Sequence, residues 1–195
     1  MRPPNHKPRT MPKIIIGLVG EIAAGKDTVA EYLSQKYQAQ TISFSQPIRD
    51  ILDRLYLPQS RINMMTLGNT LREAFGQDLF SKTISREVKE SSAEIIILPN
   101  IRLESDLAFL DSEPGFILVS ILADQKIRFK RLTNRRQNPD DQTKTWEQFL
   151  ADSNLNTEIH IRELAGQATH QIDNNGTKDE LYRQIEQLLS QLKKG

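Results

Sequence analysis

The chain of 195 residues contains no cysteine. That absence excludes a disulfide framework, thiolate metal sites and a cysteine nucleophile, and it fits a reducing cytoplasm. Long apolar runs are missing too. Ile14-Ile15-Ile16-Gly17-Leu18-Val19 and Ile95-Ile96-Ile97-Leu98 are far too short to span a bilayer. The opening twelve residues hold four prolines and lack the apolar stretch of a secretory signal. They read as a flexible tail, with Met11 an alternative start. A cytoplasmic protein without a membrane partner is expected. Charge of one sign is scarce: there are 26 basic and 25 acidic residues, and setting aside Arg2, Lys7 and Arg9 leaves 23 against 25. Such a balance gives no duplex-binding face. Aromatics are few (6%) and do not interleave with the basic stretch, which argues against a nucleic-acid partner. His6 lies in the tail, and His160 and His170 stand apart from any nucleophile or metal-ligand spacing, so histidine catalysis is not indicated.

What is present is an alternation of short β-rich runs with segments of helical period. Strands are expected over 13–19, 40–44, 94–98, 116–121 and 168–172. Helices are expected over 26–37, 46–56, 61–75, 77–90, 104–110, 124–136, 145–152, 156–165 and 178–193. Val29, Ala30, Leu33 and Tyr37 form the apolar stripe of the first helix. This alternation predicts an α/β fold: three layers, about five parallel strands, helices on both faces. Residues 13–195 form one domain of ordinary size, and the basic segment from about 126 to 150 is expected to be a small helical lid.

The chemistry is carried by Gly20-Glu21-Ile22-Ala23-Ala24-Gly25-Lys26-Asp27-Thr28, which follows the first strand and opens the first helix. G-x-x-x-x-G-K in that context is a P-loop. Gly20 and Gly25 permit backbone angles that turn successive N–H groups toward phosphate oxygens, and Lys26 adds a point charge for the β- and γ-phosphates. The helix N-terminus adds a partial positive charge. A hydroxyl residue usually follows the lysine. Here Asp27 stands there, a hard oxygen ligand for Mg²⁺, with Thr28 next.

The string G-K-D-T-V-A-E-Y-L resembles the P-loop of deoxynucleoside monophosphate kinases, and later segments follow in that family's order. These are Ser43-Phe44-Ser45-Gln46-Pro47-Ile48-Arg49-Asp50, the stretch Leu67–Gly76 with its glycine, threonine and arginine, and Asn100-Ile101-Arg102 after the third strand. Asp173-Asn174-Asn175-Gly176-Thr177 resembles the turn beside the adenine in these kinases and in dephospho-coenzyme A kinases. The resemblance spans most of residues 13–192. It implies an ATP- and Mg²⁺-dependent kinase, monomeric or homodimeric, acting on a deoxynucleoside monophosphate or similar small phosphorylated acceptor. Dephospho-coenzyme A kinase or phosphomevalonate kinase activity is the alternative, as is a nucleotide-binding regulatory protein. By the same resemblance Gly20, Glu21, Ala23, Ala24, Gly25, Lys26, Asp27, Thr28, Asn174 and Gly176 hold the nucleotide. Ser45, Arg49, Arg72 and Arg102 would bind the acceptor, and Lys26, Arg102, Arg131 and Arg135 would serve catalysis. Arg136 would join the lid arginines.

Two points run against the pattern. Where the family has aspartate after the third strand this chain has Asn100, which cannot act as a base. Arg128, Arg131 and Arg135 also fit a solvated helix face with i,i+4 pairs. Met64 and Met65 read as core filler or a pliable pocket wall, Trp146 as packed on its neighbour, and Asp152 and Glu158 as acids that could reach the acceptor but by default are exposed.

Overall fold

The computed structural model describes residues 13–134 and 142–193. Its sheet has five strands, all parallel, in the order β2-β3-β1-β4-β5. They are β1 (Ile14–Val19), β2 (Gln40–Thr41), β3 (Ile95–Leu98), β4 (Phe116–Leu122) and β5 (His170–Asp173). β1 sits at the centre, registered on β3 through Ile14↔Ile95 and on β4 through Ile15↔Phe116. Its uncharged run suits burial on both faces. Ile16 and Leu18 pack on one side with helices α1 (Lys26–Tyr37) and α9 (Lys178–Leu192). Ile15 and Val19 pack on the other with α4 (Leu79–Glu90), α5 (Glu104–Leu110) and α8 (Asn156–Gly166). The expected three-layer α/β architecture is therefore present.

A smaller cluster lies apart, where Ile48 and Leu52 of α2 (Gln46–Arg54) and Phe80 meet Met64, Leu67 and Leu71 of α3 (Arg61–Phe75). Two further helices, α6 (Gln125–Asn134) and α7 (Trp146–Ser153), follow β4. Among the described residues no helix is long and apolar enough to cross a membrane.

The expected strand 40–44 shrinks to two residues. Ile42 N–H still reaches Ile97 O at 2.9 Å, but Ser43 Oγ then accepts from Ser45 N–H at 3.3 Å and contacts Ser45 Oγ at 3.0 Å. Such local side-chain bonds compete with the ladder and turn the chain into α2. The helix expected to reach residue 56 stops at Arg54. Leu57 N–H bonds Leu52 O, Tyr56 N–H bonds Asp53 O, and Tyr56 takes the left-handed conformation at φ 57°. That is a Schellman end with tyrosine in the place glycine favours. β5 begins two residues later and ends one residue later than the expected 168–172. Met65 is exposed rather than core filler, whereas Met64 is packed.

Candidate nucleotide-binding site

β1 delivers its C-terminus to the P-loop between β3 and β4, and the crossover from β1 out to β2 runs opposite to the one from β3 past β1 to β4. In open parallel sheets ligands bind at such a switch point. A side chain at Gly20 would meet Ile121 O at 2.5 Å. Gly25, the N-cap of α1, has φ 107°, and a Cβ there would lie 2.1 Å from Asn174 Nδ2. Ala23 adopts φ 59° without glycine's freedom. That costs about 1 kcal/mol and is the kind of strain that gathers at functional loops. Lys26 Nζ donates to Gly20 O at 2.6 Å and Glu21 O at 3.2 Å, so the ammonium sits over the loop. Asp27 is exposed and Thr28 half-buried in the first turn of α1.

The loop is gripped from three directions. Asn174, buried after β5, donates Nδ2–H to Ala24 O at 2.7 Å, and its own backbone oxygen accepts from Arg131 Nη2 at 2.8 Å. Among the described residues Arg131 Nη1 is buried with no hydrogen-bond partner, and burial pushes the guanidinium pKa down. From α6, Arg128 reaches Glu21 Oε2 at 3.1 Å, Ala123 O at 3.0 Å and the face of Phe149. Arg128 is only 1% exposed, so the solvated-face reading fails for it. The aromatic trio Phe129, Trp146 and Phe149 walls that side, as expected of Trp146. From α8, Arg162 donates to Glu21 Oε1 at 3.0 Å and Ser153 O at 2.8 Å, while Glu158 accepts from Ile22 N–H at 3.2 Å. Glu158 and Asp152 are thus not free surface acids, since Asp152 pairs with Lys144 at 2.5 Å.

The acceptor candidates lie on the β2–β3 side. Ser45 precedes α2 and contacts Ser43, and Arg49 Nη1 donates to Gln59 at 2.6 Å. Arg72 lies over the Phe80 ring at 4.8 Å. Arg102 lines a cavity of about 340 Å³ with Leu103, Glu104, His160, Glu163 and Leu164. Asp106 is buried near α4 and the segment after Arg102. It accepts from Ser81 Oγ at 3.0 Å, its own N–H bonds Leu103 O at 3.0 Å, and it feels the charge of Arg72. Burial raises its pKa against those contacts. Asn100 is half-buried, one residue before Ile101, whose N–H bonds Leu18 O at 3.1 Å. It therefore stands beside the end of β1. Gly176 has a structural reason of its own: a Cβ there would strike Glu180 Oε2, which closes the capping box with Thr177. Arg135 and Arg136 lie outside the described residues, as does part of the expected lid.

Comparison with known proteins agrees with this geometry. A UPF0200 protein of Methanothermobacter thermautotrophicus is 25% identical over 186 residues, covering 93% of this chain and 92% of its own. A dephospho-CoA kinase of Nostoc is 27% identical over 205 residues, covering 90% and 96%. A shikimate kinase from Bacteroides thetaiotaomicron shares the fold at a TM-score of 0.61 with 18% identity, covering 92% and 98%. No family model matches the chain. The chain thus carries a P-loop on the fold of P-loop kinases, and its relatives include dephospho-CoA kinases.

Sequence reading passed over Asp106 and Arg162, and it placed Arg128 and Glu158 on the solvated surface. One signal was available: Arg128 and Leu132 stand four apart on α6, so an arginine occupies the buried stripe. Asp106, Glu158 and Arg162 carry no such mark, because their partners are remote in sequence.

Proposed function

We propose that this chain transfers the γ-phosphoryl group of ATP, with Mg²⁺, to a phosphate group of a small acceptor of the deoxynucleoside monophosphate class. The observation that carries the reading is the strained loop at the sheet's switch point with Lys26 folded over it. The residues fit the nucleotide. The buried Arg131 Nη1 is a donor in want of an acceptor, and Asp27 with Thr28 offers hard oxygens where Mg²⁺ needs only one or two protein ligands besides phosphates. Mg²⁺ would supply charge neutralisation on the transferring group. Lys26 would hold the donor phosphates. Arg72 and Arg102 would orient the acceptor so that its oxygen forms the new P–O bond in line with the one that breaks to leave ADP.

Asn100 bears on the acceptor. A phosphate oxygen attacks without losing a proton, so a phosphate acceptor needs no base at that place, whereas a hydroxyl acceptor must give up its proton. This favours phosphate-group acceptors. The relative named dephospho-CoA kinase favours the second reading, transfer to the hydroxyl of dephospho-coenzyme A. Acceptor-dependent ADP release decides between them, measured across deoxy- and ribonucleoside monophosphates, dephospho-coenzyme A and phosphomevalonate. The expected result is turnover with a nucleoside monophosphate and a loss of about a hundredfold in Lys26→Ala. Turnover with dephospho-coenzyme A alone would establish the second reading. ATP binding without acceptor-dependent turnover would make the protein a nucleotide-binding regulator.

A further inference from the structure

We propose that Glu21 is a positioning residue for the nucleotide: one carboxylate holds the P-loop, α6 and α8 in a single arrangement, and nucleotide affinity depends on it. The proposal rests on the nucleotide-binding reading above.

Glu21 is an odd occupant of a loop that has to receive several negative charges. An isolated carboxylate there would repel a triphosphate. Its two oxygens are instead divided between two helices, Oε2 to Arg128 of α6 at 3.1 Å and Oε1 to Arg162 of α8 at 3.0 Å. The contacts close into a circuit. From Glu21 it runs through Arg128, three residues along α6 to Arg131, across to Asn174 at 2.8 Å, and from Asn174 Nδ2 back to the loop at Ala24 O. A second, shorter circuit leaves through Arg162 and returns four residues earlier on α8, where Glu158 accepts from Ile22 N–H. Both circuits share Glu21 and its neighbour. α6 and α8 are therefore both tied to the phosphate-binding loop at one residue. Arg128 adds rigidity because it cannot swing: it is buried, bonded to Ala123 O and stacked on Phe149. Arg131, whose Nη1 remains buried and unpartnered, takes its place from this arrangement.

The test uses Glu21→Gln and Arg162→Gln in the full chain. Arg162 is 42% exposed, so its replacement removes the ion pair to α8 while the buried Arg128 stays paired with Glu21 and Glu158 still accepts from Ile22 N–H. Charge alone predicts that Glu21→Gln tightens Mg²⁺-ATP binding, because an anion leaves the loop. Positioning predicts the opposite. The expected result is a Kd for Mg²⁺-ATP by titration calorimetry raised at least about fivefold in Glu21→Gln, with a smaller rise in Arg162→Gln. The KM for ATP should rise in step, with the KM for the acceptor unchanged. Equal or tighter ATP binding in Glu21→Gln would overturn the proposal. So would KM values for ATP and acceptor that rise together with a lowered melting temperature, the mark of a merely structural contact. Wild-type protein that binds no nucleotide would instead overturn the nucleotide-binding reading beneath it.

Discussion

Asn174 shows how much can depend on one side chain. Its amide donates to Ala24 O beneath the loop while its backbone oxygen receives Arg131. Asn174→Ala would leave a buried carbonyl without its donor, at a cost of about 1–3 kcal/mol. Urea unfolding should show that loss, and Mg²⁺-ATP affinity should fall with it. The motif around Lys26 was legible because its spacing is local and its glycines are forced, as the clash of a Gly25 Cβ with Asn174 Nδ2 shows. The job of Asn174 was not. Its turn resembles one that lies beside adenine, but its contact with Ala24 spans 150 residues of sequence, and nothing in the local pattern announces it. Glu21 hid in the same way, since its partners Arg128 and Arg162 lie on helices whose packing had to be known first.

Among the elements, α1 and α9 are joined at their outer face by Glu186. Its carboxylate accepts from Lys36 Nζ at 2.7 Å and from the hydroxyls of Tyr32 and Tyr37, while Tyr32 stacks on Tyr182 at 3.9 Å. Those donors hold the Glu186 pKa down to about 2, and the same carboxylate pushes Tyr37 up to about 12. A depressed carboxylate pKa stabilises the fold above its ordinary value of 4.5, and that contribution fades as pH falls toward 2. A raised tyrosine pKa acts below 10 and fades as pH climbs toward 12. Glu186→Gln should flatten the acid limb of a stability profile between pH 4.5 and 2. Near neutrality it should lose about 1 kcal/mol, a modest amount because the side chain is partly in water. Denaturant midpoints measured across pH would register both effects. Helix and strand identities were legible here because apolar period decides them. Their ends were less so: the Ser43–Ser45 turn cut β2 short, and Tyr56 closed α2 in a conformation that no tyrosine advertises.

For the molecule as a whole, the parallel sheet with helices on both faces followed from alternating runs, whereas the strand order did not, since every buried strand reads alike. That order places the P-loop where binding acts on the entire fold. A ligand at 100 times its Kd adds about 2.7 kcal/mol to stability. For a chain of this size that raises the melting temperature by about 5–10 °C. Mg²⁺-ATP should produce such a shift in a thermal melt, and Lys26→Ala should lack it.

The central place of β1 also sets a problem during synthesis. Its neighbours β3 and β4 are registered about eighty and about a hundred residues downstream. Ile14–Val19 therefore leaves the ribosome well before either neighbour and has no strand to pair with until about eighty more residues have followed. At about 5–20 residues per second that interval lasts about 5–20 seconds, during which an unpaired apolar edge is on offer to other chains. Expression yield in cells should accordingly depend on chaperone supply more than equilibrium stability would suggest, because the central strand of the finished sheet is the one that waits longest for a partner.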